Sequence, residues 1–117
     1  MLRNDLAWAQ LAAGRPADAL ANARRAVVGL PNHPNALHTL GLALARNDQR
    51  DEAVQVLRAA SNLAPTLALP RLDLAENLAA AGDKDGARSA LRGIDEAQLG
   101  ARDKDELKRL RGVLGAG

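Results

Sequence analysis

The chain has no cysteine, no phenylalanine and no tyrosine, and Trp8 is its only aromatic residue. Without cysteine there can be no disulfide, no thiolate metal site and no thiol nucleophile. Without a set of aromatic side chains there is no row of platforms on which nucleic-acid bases could stack. The shortage of aromatic and β-branched residues also argues against strands, which prefer those side chains. No apolar run approaches the ~20 residues needed to cross a membrane, and the opening MLRNDLAWAQ has no apolar signal core behind a basic stretch. Net charge is +2, from 16 Lys and Arg against 14 Asp and Glu. That near balance supplies no electrostatic case for nucleic acid, which needs a clustered basic patch.

What remains is rich in Ala and Leu, both strong helix formers, in a chain of 117 residues, the length of one domain. The expected fold class is all-α. Shifting the chain against itself by 34 residues shows its organisation. Leu6 falls on Leu40 and Leu74, Ala7 on Gly41 and Ala75, Gly14 on Asp48 and Gly82, and Ala19 on Ala53 and Ala87. Arg24, Arg58 and Arg92 form a further column, as do Ala26, Ala60 and Ile94, and Pro31 falls on Pro65.

Each column has a physical reason. Small residues at 7, 41 and 75, and at 19, 53 and 87, allow paired helices to approach closely. The turns AGRP, NDQR and AGDK offer Gly, Asn or Asp for the left-handed residue that ends a helix. Pro16, Pro34 and Pro70 suit first helical turns, while Pro31 and Pro65 stop the second helices. Helices are predicted at about 2–13, 17–29, 35–46, 51–62, 70–81, 85–96 and 102–114. In the last, Leu107, Leu110 and Leu114 make one apolar stripe, with Arg102, Lys104, Lys108 and Arg111 off it, as a helix that closes an open-ended stack requires.

The period, Leu40-Gly41, Ala53, Leu57, Ala60 and Pro65 together resemble the tetratricopeptide repeat. The resemblance implies a short α-solenoid in a single domain over 1–117. Its three helix-turn-helix repeats would lie at about 1–33, 34–67 and 68–98, with a capping helix at about 102–114. It implies a protein–protein interaction module with no enzymatic activity, no cofactor and no metal. Large residues are common in the family where Arg3, Gln10 and Ala23 stand, so the first repeat is under-packed. A partner or further repeats would cover it. NDLAWAQLAAGRPADALANARRAV and its two successors are also similar to the C-terminal repeats of bacterial tetratricopeptide proteins associated with exopolysaccharide production and export. That implies a place in a bacterial secretion or exopolysaccharide export assembly, in the cytoplasm or, for an excised segment of an exported protein, in the periplasm.

In this family the first helix of each repeat lines the concave face. Positions i, i+4 and i+7 then nominate Asn4, Trp8 and Leu11, His38, Leu42 and Ala45, and Leu72, Glu76 and Ala79, with Arg46 one step round. The expected partner-binding set is Asn4, Trp8, Leu11, His38, Leu42, Arg46, Leu72 and Glu76, and the expected ligand is a protein segment or helix of a partner. Leu42 and Leu72 have a second reading as packing residues, and Trp8 as filler for the small residues of the first repeat. Asn4 could fit one role of the family's carboxylate-clamping subgroup, but that subgroup is a poor fit, because Trp8, Thr39, Leu69 and Asp73 stand where its other polar or basic clamps belong. Structural stacking or self-association through the N-terminal repeat is the rival function. The arginine column at 24, 58 and 92 reads as a solvated outer face. His33 and His38 lack an acidic cluster at zinc-ligand spacing, Ser61 and Ser89 lack a base, and AAAGDKDGA lies between helices rather than after a strand.

Overall fold

A computed structural model describes residues 2–115. The expected first-repeat start at residue 1 lies outside the described residues. The described residues are all helical apart from turns and loops: α1 (Leu2–Ala12), α2 (Pro16–Gly29), α3 (Pro34–Arg46), α4 (Arg50–Leu63), α5 (Ala68–Ala80), α6 (Lys84–Leu91) and α7 (Ala101–Leu114), with a 3₁₀ turn at Glu96–Gln98. Consecutive helices pack as hairpins, α1 with α2, α3 with α4 and α5 with α6, and each hairpin stacks on the next.

The local causes are those of the aligned columns. Pro16 and Pro34 each occupy the first turn of their helix, where the missing N–H costs nothing. Gly14, Asp48 and Gly82 end the first helices with positive φ of 73°, 62° and 87°. The small residues Ala7, Ala19, Ala53, Ala75 and Ala87 are all fully buried between paired helices. Gly41 shows the need most sharply: a Cβ there would lie 2.5 Å from both Cγ and Cδ2 of the fully buried Leu57.

Two boundaries depart from the predicted ones. α5 begins at Ala68 rather than Pro70, because Pro70 at the third helical position still falls among the N–H groups that have no intrahelical partner. The side chain of Gln98 anchors this end, accepting from the Ala68 N–H at 2.8 Å and donating to the Thr66 carbonyl at 2.7 Å. α6 stops at Leu91 instead of running to residue 96. Gly93 adopts φ of 70°, and the Arg71 guanidinium takes the carbonyls of Ala90, at 3.0 Å, and Arg92. Those carbonyls, orphaned at the helix end, are thereby satisfied. Ile94 therefore leaves the helix that its column implies, yet its side chain turns back into the core.

The core forms two clusters. Leu11, Leu40 and Leu44 with the small residues of the first hairpins make one, and Leu57, Leu72, Leu74, Leu78, Leu91 and the α7 leucines make the other. Leu107, Leu110 and Leu114 seal the last hairpin, as the apolar stripe of α7 implies, and Arg88 binds the Leu114 carbonyl at the far end of α7, with a 3.0 Å bond from its Nε.

The first repeat differs. It carries a polar chain across α1 and α2, in which Arg3 donates to Asn22 at 3.4 Å and Asn22 to Gln10 at 2.9 Å. Among the described residues no helix is long and apolar enough to cross a membrane, and no group of three His, Cys, Asp or Glu side chains could hold a metal ion.

Candidate functional site

The first helices of the three hairpins lie side by side and line an open groove of about 740 Å³. Each contributes through helical spacing. α1 supplies Trp8, α3 supplies His38, Leu42, Ala45 and Arg46, and α5 supplies Leu69, Asp73, Glu76, Asn77 and Ala80. Arg50, the first residue of α4, stands at the margin. α7 forms the remaining wall through Arg102, Asp103, Glu106 and Arg109.

Trp8, His38, Leu42, Arg46 and Glu76 of the expected set thus meet in one groove. Asn4, Leu11 and Leu72 do not. They are 3%, 5% and 2% exposed, and their surface is used within the fold. Leu11 packs among Ala7, Ala19, Ala23 and Leu44, and Leu72 belongs to the second core cluster. Leu11 is clustered with residues of α2 and α3, and Leu72 with residues of α4, α6 and α7, and periodicity within one helix cannot separate a side turned to a neighbouring helix from the open side. Trp8 stays 43% exposed, its ring meeting that of His38 edge to face at 5.9 Å and 69°. Leu42 is half-buried, packed on the first core cluster from one side and open to the groove on the other.

His38 is the most constrained group on the floor. Its side chain is buried, and Nε2 lies 2.5 Å from Oδ2 of Asp73, joining α3 to α5 across the stack. Glu76 sits one turn further along α5. Burial, the neighbouring Glu106 carboxylate and the charge of Asp73 push its carboxyl from the ordinary 4.5 to about 7, with Arg109 opposing. Glu106 is held low, first by its bond to Arg109, whose Nε lies 3.0 Å from Oε1. The groove therefore contains a seam between α5 and α7 where two carboxylates and one arginine meet.

This seam makes folding stability pH-dependent. A native carboxyl with a raised pKa prefers its proton, so its ionisation disfavours the native state as pH climbs from about 4.5 through about 7. Glu76→Gln is expected to unfold about 4 °C higher than wild type at pH 8, and with almost no difference at pH 5. The shift corresponds to roughly 1 kcal/mol after allowance for solvent screening of a half-exposed group. Thermal melts across that range check both the sign and the window.

Sequence reasoning missed Asp73 as the partner of His38, and it missed the α7 wall. Arg102, Glu106 and Arg109 recur at i, i+4 and i+7, the spacing applied to the other helices. Reading α7 only as a cap left that spacing unused. All three residues of the arginine column are exposed, and Arg24 also bridges to Glu52 of the next hairpin at 3.0 and 3.2 Å.

Stacked helical hairpins whose first helices line a shared groove define an α-helical repeat scaffold. The sequence profile described as tetratricopeptide repeat matches residues 1–25, 34–59 and 68–92. The chain belongs to the tetratricopeptide repeat family. No curated protein matches it at a significant level. Among solved structures it is similar to the Yersinia enterocolitica type III secretion chaperone SycD in complex with a peptide of the translocator YopD. The TM-score is 0.79 at 19% identity, covering 97% of this chain and 87% of that one. A second structure of that translocator chaperone gives a TM-score of 0.77 at 19% identity, covering 94% and 81%. At this identity the likeness establishes the fold.

Proposed function

We propose that this chain is a protein–protein interaction module that seats a segment of a partner protein in the groove between α1, α3, α5 and α7. One observation carries the reading: Trp8 and Leu42 keep open apolar surface inside a groove lined by the first helices of all three hairpins. The solved neighbour that holds a peptide of another protein supports it by analogy of fold, and its role adds support to a setting in bacterial secretion. Recognition is steric and apolar at Trp8, Leu42 and Leu69, with His38, Arg46 and Glu76 setting orientation.

Trp8 is also the reporter, because no other aromatic residue contributes to the emission. Short peptides selected from a random display library on the wild-type chain are expected to shift the Trp8 emission to the blue as they cover the indole. Leu42→Asp, with helicity retained, is expected to weaken them by about thirtyfold, the loss of one central anchor worth ~2 kcal/mol. Selected peptides that bind both proteins equally would place the ligand elsewhere.

A second reading has its own observation. Leu6 is 45% exposed, whereas its register counterparts Leu40 and Leu74 are 5% and 4% exposed. Leu2, one turn earlier, is 83% exposed. The outer face of α1 thus carries exposed apolar side chains that no other described residue covers, which fits association with a second copy. Sedimentation equilibrium is expected to show mass rising with concentration for wild type and a constant monomer mass for Leu2→Glu/Leu6→Glu. A wild-type monomer at high concentration would remove this reading.

A further inference from the structure

The charges in the groove are formally balanced, with Arg46, Arg50, Arg102 and Arg109 against Asp73, Glu76, Asp103 and Glu106. They are not equally committed. Asp73 is held by His38, and Glu106 by Arg109. Glu76 lies against Glu106 in the seam, where its proton is retained up to about pH 7. Asp103 sits in the first turn of α7, where the helix N-terminus already favours a negative charge. Arg46, Arg50 and Arg102 are all exposed, and among the described residues none of the three has a carboxylate within 4.0 Å. Three guanidinium groups therefore border the apolar surface of Trp8, Leu42 and Leu69 with their hydrogen-bonding forks unused.

We infer that the partner segment is acidic as well as apolar: apolar side chains cover Trp8, Leu42 and Leu69 while Asp or Glu side chains beside them are taken by Arg46, Arg50 and Arg102. This rests on the reading of the groove as a binding site and names the chemistry of its ligand. A basic segment would set like charges together and leave the three arginines without partners. A purely apolar segment would fill the floor but gain nothing at the rim. The positive rim also steers an acidic segment toward the groove before contact, an effect that salt screens.

The test is selection of short random peptides on the wild-type chain, followed by titration of the winners against Trp8 emission at low and high salt. The expected winners combine apolar residues with Asp or Glu, and they bind more weakly at high salt. Arg46→Gln/Arg50→Gln/Arg102→Gln, which removes no internal bond, is expected to bind them about tenfold more weakly, as three rim-exposed pairs imply. Replacing the acidic residues of a winning peptide by amides should produce the same loss on the wild-type chain and none on the triple variant. Winners that shift Trp8 emission but carry no acidic preference, or bind the triple variant as well as wild type, would overturn this inference and leave the groove reading standing. Selection that yields no peptide able to move Trp8 emission would overturn the groove reading, and this inference with it.

Discussion

Gly41→Ala is expected to destabilise the protein by about 1–3 kcal/mol, although alanine is the better helix former by about 1 kcal/mol. The added methyl would sit 2.5 Å from Leu57 Cγ, and Leu57 is fully buried on α4. Leu57→Ala alone is expected to cost about 2–5 kcal/mol through lost burial and the cavity left behind. The two changes should not add. In the double variant the new methyl at 41 enters the space vacated at 57, so the combined loss falls short of the sum by at least about 1 kcal/mol. The first repeat already holds that combination, with Ala7 and Ala23 at the same register positions, both fully buried. Denaturant unfolding of the four proteins measures the coupling. Simple additivity would mean that α3 and α4 separate freely, and that Gly41 is not what sets their spacing.

The same pair shows why so much of the fold was legible. A close helix approach needs a small residue at a fixed place in every hairpin, and that requirement surfaces in the chain as a column of Gly and Ala. Turn residues and prolines act just as locally, so Gly14, Asp48, Gly82, Pro16 and Pro34 could be read without knowing what lay across from them. The groove was legible only in part, for a reason visible in its own columns. Positions 8, 42 and 76 all reach the groove, whereas 4 and 72, one turn earlier on the first helices, do not, and 38 between them in the column is buried yet still forms part of the groove floor. Burial at 4, 38 and 72 comes from packing against other helices, which leaves no periodic trace within any single helix. The wall built by α7 was hidden differently. That helix has no counterpart in the earlier repeats, so the alignment that exposed the other columns had nothing to compare it with.

Asp73→Ala is expected to be the costliest single change on the groove floor. It would leave His38 Nε2 buried without its partner 2.5 Å away, and an orphaned polar group in a partly charged bond costs about 1.5–3 kcal/mol. The bond spans α3 and α5, so its loss weakens the stacking of the second hairpin on the third as well as a single side chain. The effect should also reach Trp8, whose ring rests against the edge of His38. Asp73→Ala is therefore expected to unfold at lower denaturant and to shift native Trp8 emission to the red. Asp73→Asn, which can still bond the imidazole, should lose less on both measures. Replacing both partners by leucine removes the need for the bond and is expected to recover much of the stability, because both side chains are largely buried. The double variant would thus separate two roles that the wild-type pair combines. If the leucine pair folds as stably as wild type but no longer binds groove ligands, the polar pair is retained for the shape and polarity of the floor. Equal unfolding of Asp73→Ala and wild type would instead show that His38 finds another partner and that the bond does not hold the stack together.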